Sequence, residues 1–231
     1  MFKFNFPIIR RFSNTLTPVF LRTPVTPNVV TIFGLILGLV SAFLFLSTDS
    51  YPTSEFSTAY FLHIIASLLL CCCYVLDRID GEIARAKGLA STFGKGMDEI
   101  SGWLIHTTIF LAMGLSYFQE TGNGLWAAFG IAAAIGATIN FLLVTILDLW
   151  GFLKRKKFQS EGEVITNLSQ LDKTWDKILF IFRELFRNDF CLILLFFSLI
   201  GTPWLLLPLA AVGAQFYWIF AFFKVTRNFK P

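Results

Sequence analysis

The chain has 231 residues, of which 55% are hydrophobic and 15% charged, whereas an average soluble domain carries about 25% Asp, Glu, Lys and Arg. A bilayer-spanning helix needs roughly 20 mostly apolar residues, and six stretches of this kind can be read along the chain. These proportions exclude a soluble globular enzyme, a disordered tail and a disulfide-stapled secreted domain. The fold class expected is all-α integral membrane, with six transmembrane helices and an N-terminal amphipathic juxtamembrane helix.

Lys3, Arg10, Arg11 and Arg22 open the chain with no acid among them, interleaved with Phe2, Phe4, Phe6, Ile8, Ile9 and Phe12. Such a segment suits an amphipathic helix on the inner leaflet, its basic side toward anionic headgroups; a transit peptide is also basic and acid-poor, but no A-x-A-like site precedes the first span. Residues 1–27 are therefore read as a cytoplasmic juxtamembrane segment and 28–231 as one six-span domain. Thr26, Pro27 and Asn28 start the first helix, Pro suiting its first turn and small polar groups its cap.

Apolar runs then place spans at about 29–46, 58–76, 99–118 and 125–149, a fifth ending near Ile200, and a sixth at about 204–223. A polar insert, 77–98, joins the second to the third, and a charged stretch from Lys154 precedes the fifth. Cys71, Cys72 and Cys73 are consecutive, and three consecutive helical residues point in three directions, so they read as small packing residues rather than a metal site.

All 19 Lys and Arg lie in the N-terminal segment, the insert, the stretch from Lys154 to Arg187, or the C-terminal tail. The other loops carry only Asp49, Glu55 and Glu120 as charges. By the positive-inside rule both termini and the insert face the cytoplasm, in a bacterial inner membrane or an organelle equivalent.

The chemistry concentrates in the insert. If the second span continues as a helix past Leu76, then Asp77, Asp80, Gly81, Ala84 and Gly88 fall within about 60° of one direction at 100° per residue. One face then carries two carboxylates beside three nearly absent side chains, as a large ligand held near bound cations would require. Asp98 can supply a third carboxylate. Mg²⁺ and similar hard cations take carboxylate oxygens and keep waters and substrate phosphates as further ligands. The plainer alternative is a solvated loop in which Asp77, Asp80, Glu82 and Asp98 pair with Arg78, Arg85, Lys87 and Lys95; it leaves the small residues on the acidic face without a role.

Asp77, Asp80, Gly81, Ala84, Arg85, Gly94 and Asp98 match, at every spacing, the signature D-x2-D-G-x2-A-R-x8-G-x3-D-x3-D of the CDP-alcohol phosphatidyltransferases. The chain resembles that family over its whole length, from the basic juxtamembrane segment and the T-P-N opening of the first span to six spans with the motif joining the second and third. The resemblance implies transfer of a substituted phosphate from a CDP-linked lipid or alcohol to an acceptor alcohol, with release of CMP, in phospholipid biosynthesis.

It further implies Mg²⁺ or Mn²⁺ held by Asp77, Asp80 and Asp98, room for the donor at Gly81, Ala84 and Gly94, Arg85 facing donor phosphate, and Arg187 near the acceptor. Membrane lipids and a second copy of the chain are the partners implied, with no nucleic acid. Phosphoryl-type transfer depends mainly on positioning and on neutralisation of charge by cations, which agrees with this residue set.

The sequence departs from the signature at its last position, where the fourth Asp is replaced by Gly102. In the family that carboxylate takes the proton of the attacking hydroxyl, and no Asp or Glu lies between Glu99 and Glu120. Two substitutes offer themselves: Glu99, about 100° around the helix from Asp98, and His106, about 40° from Gly102 and one turn deeper. The alternative is a catalytically impaired relative that binds nucleotide or lipid as a membrane partner. A small transporter fits less well, because the acids cluster at the membrane edge and no mid-membrane carboxylate pair is present. The acceptor alcohol is not encoded in the motif.

Overall fold

The computed structural model describes residues 8–47, 58–153 and 189–228. Among the described residues there is no strand. The helices are α1 (Ile8–Leu21), α2 (Pro27–Ser47), α3 (Thr58–Ala86), α4 (Thr92–Thr121), α5 (Gly124–Leu153), α6 (Phe190–Leu199) and α7 (Leu206–Asn228), with a 3-10 turn, Pro203–Leu205, before the last.

Four of these helices, α2 to α5, are long and apolar enough to cross a bilayer. They occupy the first four expected spans. The apolar parts of the last two described helices are shorter, Phe190–Leu199 and Pro203–Phe216. The stretch expected to lead into the fifth span, with Arg183 and Arg187, lies outside the described residues, as do Lys3, Asp49, Glu55, the basic run from Lys154 and Lys230.

The outward face of α2 is apolar. On α2, Val29, Ile32, Phe33, Ile36, Val40 and Phe43 are exposed at helical spacing, and a continuous apolar face of this size on a helix is a surface for lipid. Inside, the helices meet through small residues, as membrane helices do when no hydrophobic force drives them together. A Cβ on Gly114 would stand 2.9 Å from Gly130 Cα, and one on Gly38 would stand 2.7 Å from Ile105 Cγ1. Phe45, Leu70, Ile109, Met113, Tyr117 and Leu194 fill the interior between these crossings.

The segment expected as a polar insert is mostly helix. α3 continues through the motif to Ala86, and α4 begins at Thr92, seven residues before the expected start of the third span. The link between them is short because both helix ends carry their own stop. Gly88 adopts φ 66°, with Gly88 N–H donating to Arg85 O at 3.3 Å and Leu89 N–H to Ala84 O at 2.8 Å. This is the paired bonding of a Schellman end, which glycine alone among common residues enters without strain. Ser91 then caps α4, its Oγ accepting from Gly94 N–H at 3.0 Å, which satisfies one of the orphan donors of a first turn.

α1 lies against the motif helix. Its inward residues Ile9, Ser13 and Thr17 are buried, whereas Phe12, Leu16 and Val19 are exposed. Ser13 Oγ donates to Glu82 Oε1 at 2.9 Å, and Thr17 Oγ1 donates to the other oxygen of the same carboxylate. The start of α1 is held from a second side, because buried Asp189 accepts from Ile8 N–H and Ile9 N–H, each at 3.3 Å. A carboxylate there satisfies free donors and meets the positive end of the helix dipole.

Candidate functional site

The short link turns α4 back beside the end of α3, and this returns Asp98 to Asp77. Their carboxyl groups lie within hydrogen-bonding reach of each other. Two carboxylates at such range repel unless a proton or a cation lies between them. Asp77 also lines a small cleft between three helices, together with Thr31, Gly34 and Leu35 of α2, Cys73 of α3, and Ser101 and Ile105 of α4.

Asp80, one turn further along α3, is 4% exposed and accepts a hydrogen bond from Thr31 Oγ1 at 2.5 Å. The three expected ligands thus stand as a contacting pair, Asp77 and Asp98, plus a neighbouring carboxylate turned toward α2. Among the described residues no three His, Cys, Asp or Glu side chains are grouped as ligands of one ion. The pair suits a hard divalent cation by donor chemistry, whereas Asp80 would have to leave Thr31 to join it.

The small residues take different surroundings. A Cβ on Gly81 would stand 3.3 Å from Arg85 Nη1, so the Arg85 guanidinium crosses the bare backbone at Gly81, one turn away on the same helix. Ala84 is half-buried on the same stretch and Arg85 is exposed. A Cβ on Gly94 would stand 3.2 Å from Ser91 Oγ and 3.5 Å from Asn28 Oδ1. Gly94 therefore lets the start of α2, the T-P-N segment, approach the start of α4. Arg187 lies outside the described residues.

The two candidate bases sit in unlike settings. Glu99 is half-buried and pairs with Lys95 one turn before it on α4, Oε1 to Nζ 3.5 Å. His106 spans the gap between α4 and α3: its Nδ1 is 2.7 Å from Gly102 O, and its Nε2 is 2.8 Å from Tyr74 Oη. A carbonyl oxygen only accepts, so Nδ1 carries the proton and Nε2 accepts from the Tyr74 hydroxyl. At Gly102 itself a Cβ would meet nothing within 4 Å. The missing carboxylate leaves open space rather than a refilled core.

Three participants escaped sequence reasoning: Thr31, Tyr74 and the anchoring role of Glu82. Thr31 and Tyr74 are single polar groups inside apolar runs and belong to no spacing pattern. Their only signal is that a hydroxyl in a span needs a partner.

The family model of the CDP-alcohol phosphatidyltransferases matches residues 24–225. The chain belongs to this family. Its four long apolar helices and its family mark it as an integral membrane protein, and the family match runs from just before α2 to residue 225 within α7. Among individual proteins it is similar to an uncharacterized protein of Aquifex aeolicus (strain VF5), 33% identical over 120 residues, which are 50% of this chain and 54% of that protein. The chain thus spans about half the length of the relative it matches.

Proposed function

We propose that this CDP-alcohol phosphatidyltransferase transfers a substituted phosphate from a CDP-linked lipid or alcohol to an acceptor alcohol in phospholipid biosynthesis. The observation that supports it most is the meeting of Asp77 and Asp98, which come from opposite ends of the motif and are joined across the α3–α4 link. Two acids brought together by a dedicated turn are a costly arrangement that a bound cation would relieve, and such a cation would in turn hold a diphosphate.

In this reading Asp77 and Asp98, with Asp80 beside them, hold Mg²⁺ or Mn²⁺, which supplies neutralisation of the diphosphate charge. Gly81, Ala84 and Gly94 leave room for the donor, Arg85 faces its phosphate, and Arg187 faces the acceptor. The acceptor oxygen forms a bond to the lipid-bearing phosphorus, the bond from that phosphorus to CMP breaks, and the hydroxyl proton passes to a protein group, for which Glu99 and His106 are the candidates. Six spans, cytoplasmic termini and site, α1 on the inner leaflet, and a homodimer complete the proposal.

The test is CMP release from CDP-diacylglycerol by the purified protein in lipid vesicles, measured against a panel that includes glycerol phosphate, inositol phosphate, inositol and serine. Release with one class of acceptor is expected. The second reading, a relative that binds donor without turnover, is favoured by one observation, Gly102. Donor binding with no release against any alcohol would establish it in place of the first.

Clearance at Gly81 gives a separate prediction. Gly81→Leu should weaken CDP-lipid binding by at least about tenfold while leaving the thermal midpoint equal or higher, since leucine is favoured over glycine in a helix by more than about half a kcal/mol. The nearest atom to the new Cβ is the tip of Arg85, which can swing away. Unchanged binding would assign the glycine to packing.

A further inference from the structure

One turn along α4 from the open position at Gly102, His106 forms a hydrogen-bonded couple with Tyr74 of α3. It links α3 to α4 just as the Asp77–Asp98 contact does, one turn further along α3 and about two along α4: Tyr74 precedes Asp77 by three residues and His106 follows Asp98 by eight. The open position, Gly102, lies midway between Asp98 and His106 on α4. Residues four apart on a helix are neighbours at about 5 to 6 Å between Cβ atoms, so a small group in that space is flanked by the carboxyl pair on one side and the Tyr–His couple on the other.

Both nitrogens of His106 are committed. Nδ1–H donates to Gly102 O at 2.7 Å, which fixes the ring and leaves Nε2 as the acceptor from Tyr74 Oη at 2.8 Å. The ring is further bounded by Phe190 of α6, centroid to centroid 6.1 Å. The Tyr74 oxygen, having donated its own hydrogen, retains acceptor capacity. Among the other described acids of this region, Glu99 is turned to Lys95 and Asp80 to Thr31, while Asp77 and Asp98 engage each other.

We propose that Tyr74 is the catalytic proton acceptor of the transfer and that His106 is the positioning residue behind it. This rests on the transferase activity proposed above. The acceptor hydroxyl enters the space at Gly102 and gives its proton to Tyr74 Oη as the Tyr74 proton moves to His106 Nε2. The alcohol oxygen forms the new bond to phosphorus, the phosphorus–oxygen bond to CMP breaks, and its electron pair leaves with CMP. The histidine, then protonated on both nitrogens, returns its proton through Tyr74 once CMP has left.

General-base steps contribute typically 10²–10⁴-fold. Tyr74→Phe and His106→Gln are each expected to lower kcat for CMP release by about 100-fold or more, with KM for CDP-diacylglycerol changed by less than about threefold and the double variant no worse than either single one. The decisive background is Gly102→Asp, which places a carboxylate where a Cβ meets nothing within 4 Å. There Tyr74→Phe should cost only a few-fold, because the new acid takes the proton.

Tyr74→Phe removes one oxygen and keeps the ring, so it decides the matter even if His106→Gln fails to fold. Its fold is checked by its thermal midpoint and by its unchanged donor KM. Retention of wild-type kcat by Tyr74→Phe would overturn the proposal while leaving the transferase standing, as would an equal loss from Tyr74→Phe with and without Gly102→Asp. A wild-type protein that binds CDP-diacylglycerol yet releases CMP with no alcohol would remove the transferase activity itself, and the couple's role with it.

Discussion

Asp98→Asn is expected to abolish CMP release, by roughly three orders of magnitude or more, while leaving the fold as stable as before or more so. In phosphoryl-type transfer the cations carry much of the charge stabilisation. Asp98 is the one motif acid contributed by α4, and it contacts Asp77 directly. The amide has the same shape, hydrogen-bonds as well, and removes one of two like charges. A residue serving structure alone would show the opposite pattern, losing stability first and activity as a consequence. Two measurements check it: thermal midpoints of both proteins in the presence of a chelator, and calorimetric titration of CDP-diacylglycerol with and without Mg²⁺. Equal donor affinity of the wild type in chelator and in Mg²⁺ would show that the acid pair does not serve a cation.

What the sequence made legible here is what lies within one helix. Asp77, Asp80, Gly81 and Ala84 share a direction because α3 runs on to Ala86, and that follows from a period of 3.6 once the helix is assumed to continue. The ends of the link were legible as well, since Gly88 and Ser91 are a glycine stop and a serine start in succession. The charge of 77–98 suggests a polar insert, whereas these two signals confine the non-helical part to the link between Ala86 and Thr92. The segment is polar because one face holds acids and the other meets α1 through Glu82.

Pairings between helices were not legible. Thr31 with Asp80, Tyr74 with His106, and Ser13 and Thr17 with Glu82 join residues 49, 32, 69 and 65 positions apart, and a spacing rule within one helix says nothing about which face of another it meets. Helical spacing puts His106 near the direction of Gly102, but its partner Tyr74 sits in an apolar run where an aromatic residue passes for packing. The same limit applies to Glu99, whose neighbour Lys95 was legible at i, i+4 and whose distance from the acid pair was not. Asp189 likewise joins distant parts of the chain, since it secures the first turn of α1 from the start of α6.

Gly130→Leu is expected to prevent assembly of the α4–α5 pair, and with it the site, although Gly130 touches no candidate ligand. A Cβ there would stand 2.6 Å from Phe110 O and 3.0 Å from Gly114 Cα. Both are backbone atoms of α4 and have no side-chain freedom with which to yield. The reciprocal position is as tight, a Cβ on Gly114 lying 2.9 Å from Trp126 O. Overpacking a formed core typically costs about 1–3 kcal/mol; here a whole leucine would have to enter a backbone contact, and the helices must separate. In lipid no hydrophobic force draws them back, since association depends on close packing.

α4 carries Asp98, so its displacement removes the contact with Asp77. The expected result for Gly130→Leu is loss of a cooperative thermal transition in detergent and loss of donor binding together, with Gly130→Ala intermediate. The matched control is Gly213→Ala on α7, where a Cβ meets nothing within 4 Å; relief of glycine's helix penalty should stabilise that variant by about 0.5–1 kcal/mol. A Gly130→Leu protein that melts like the wild type would show that α4 and α5 do not pack through these glycines.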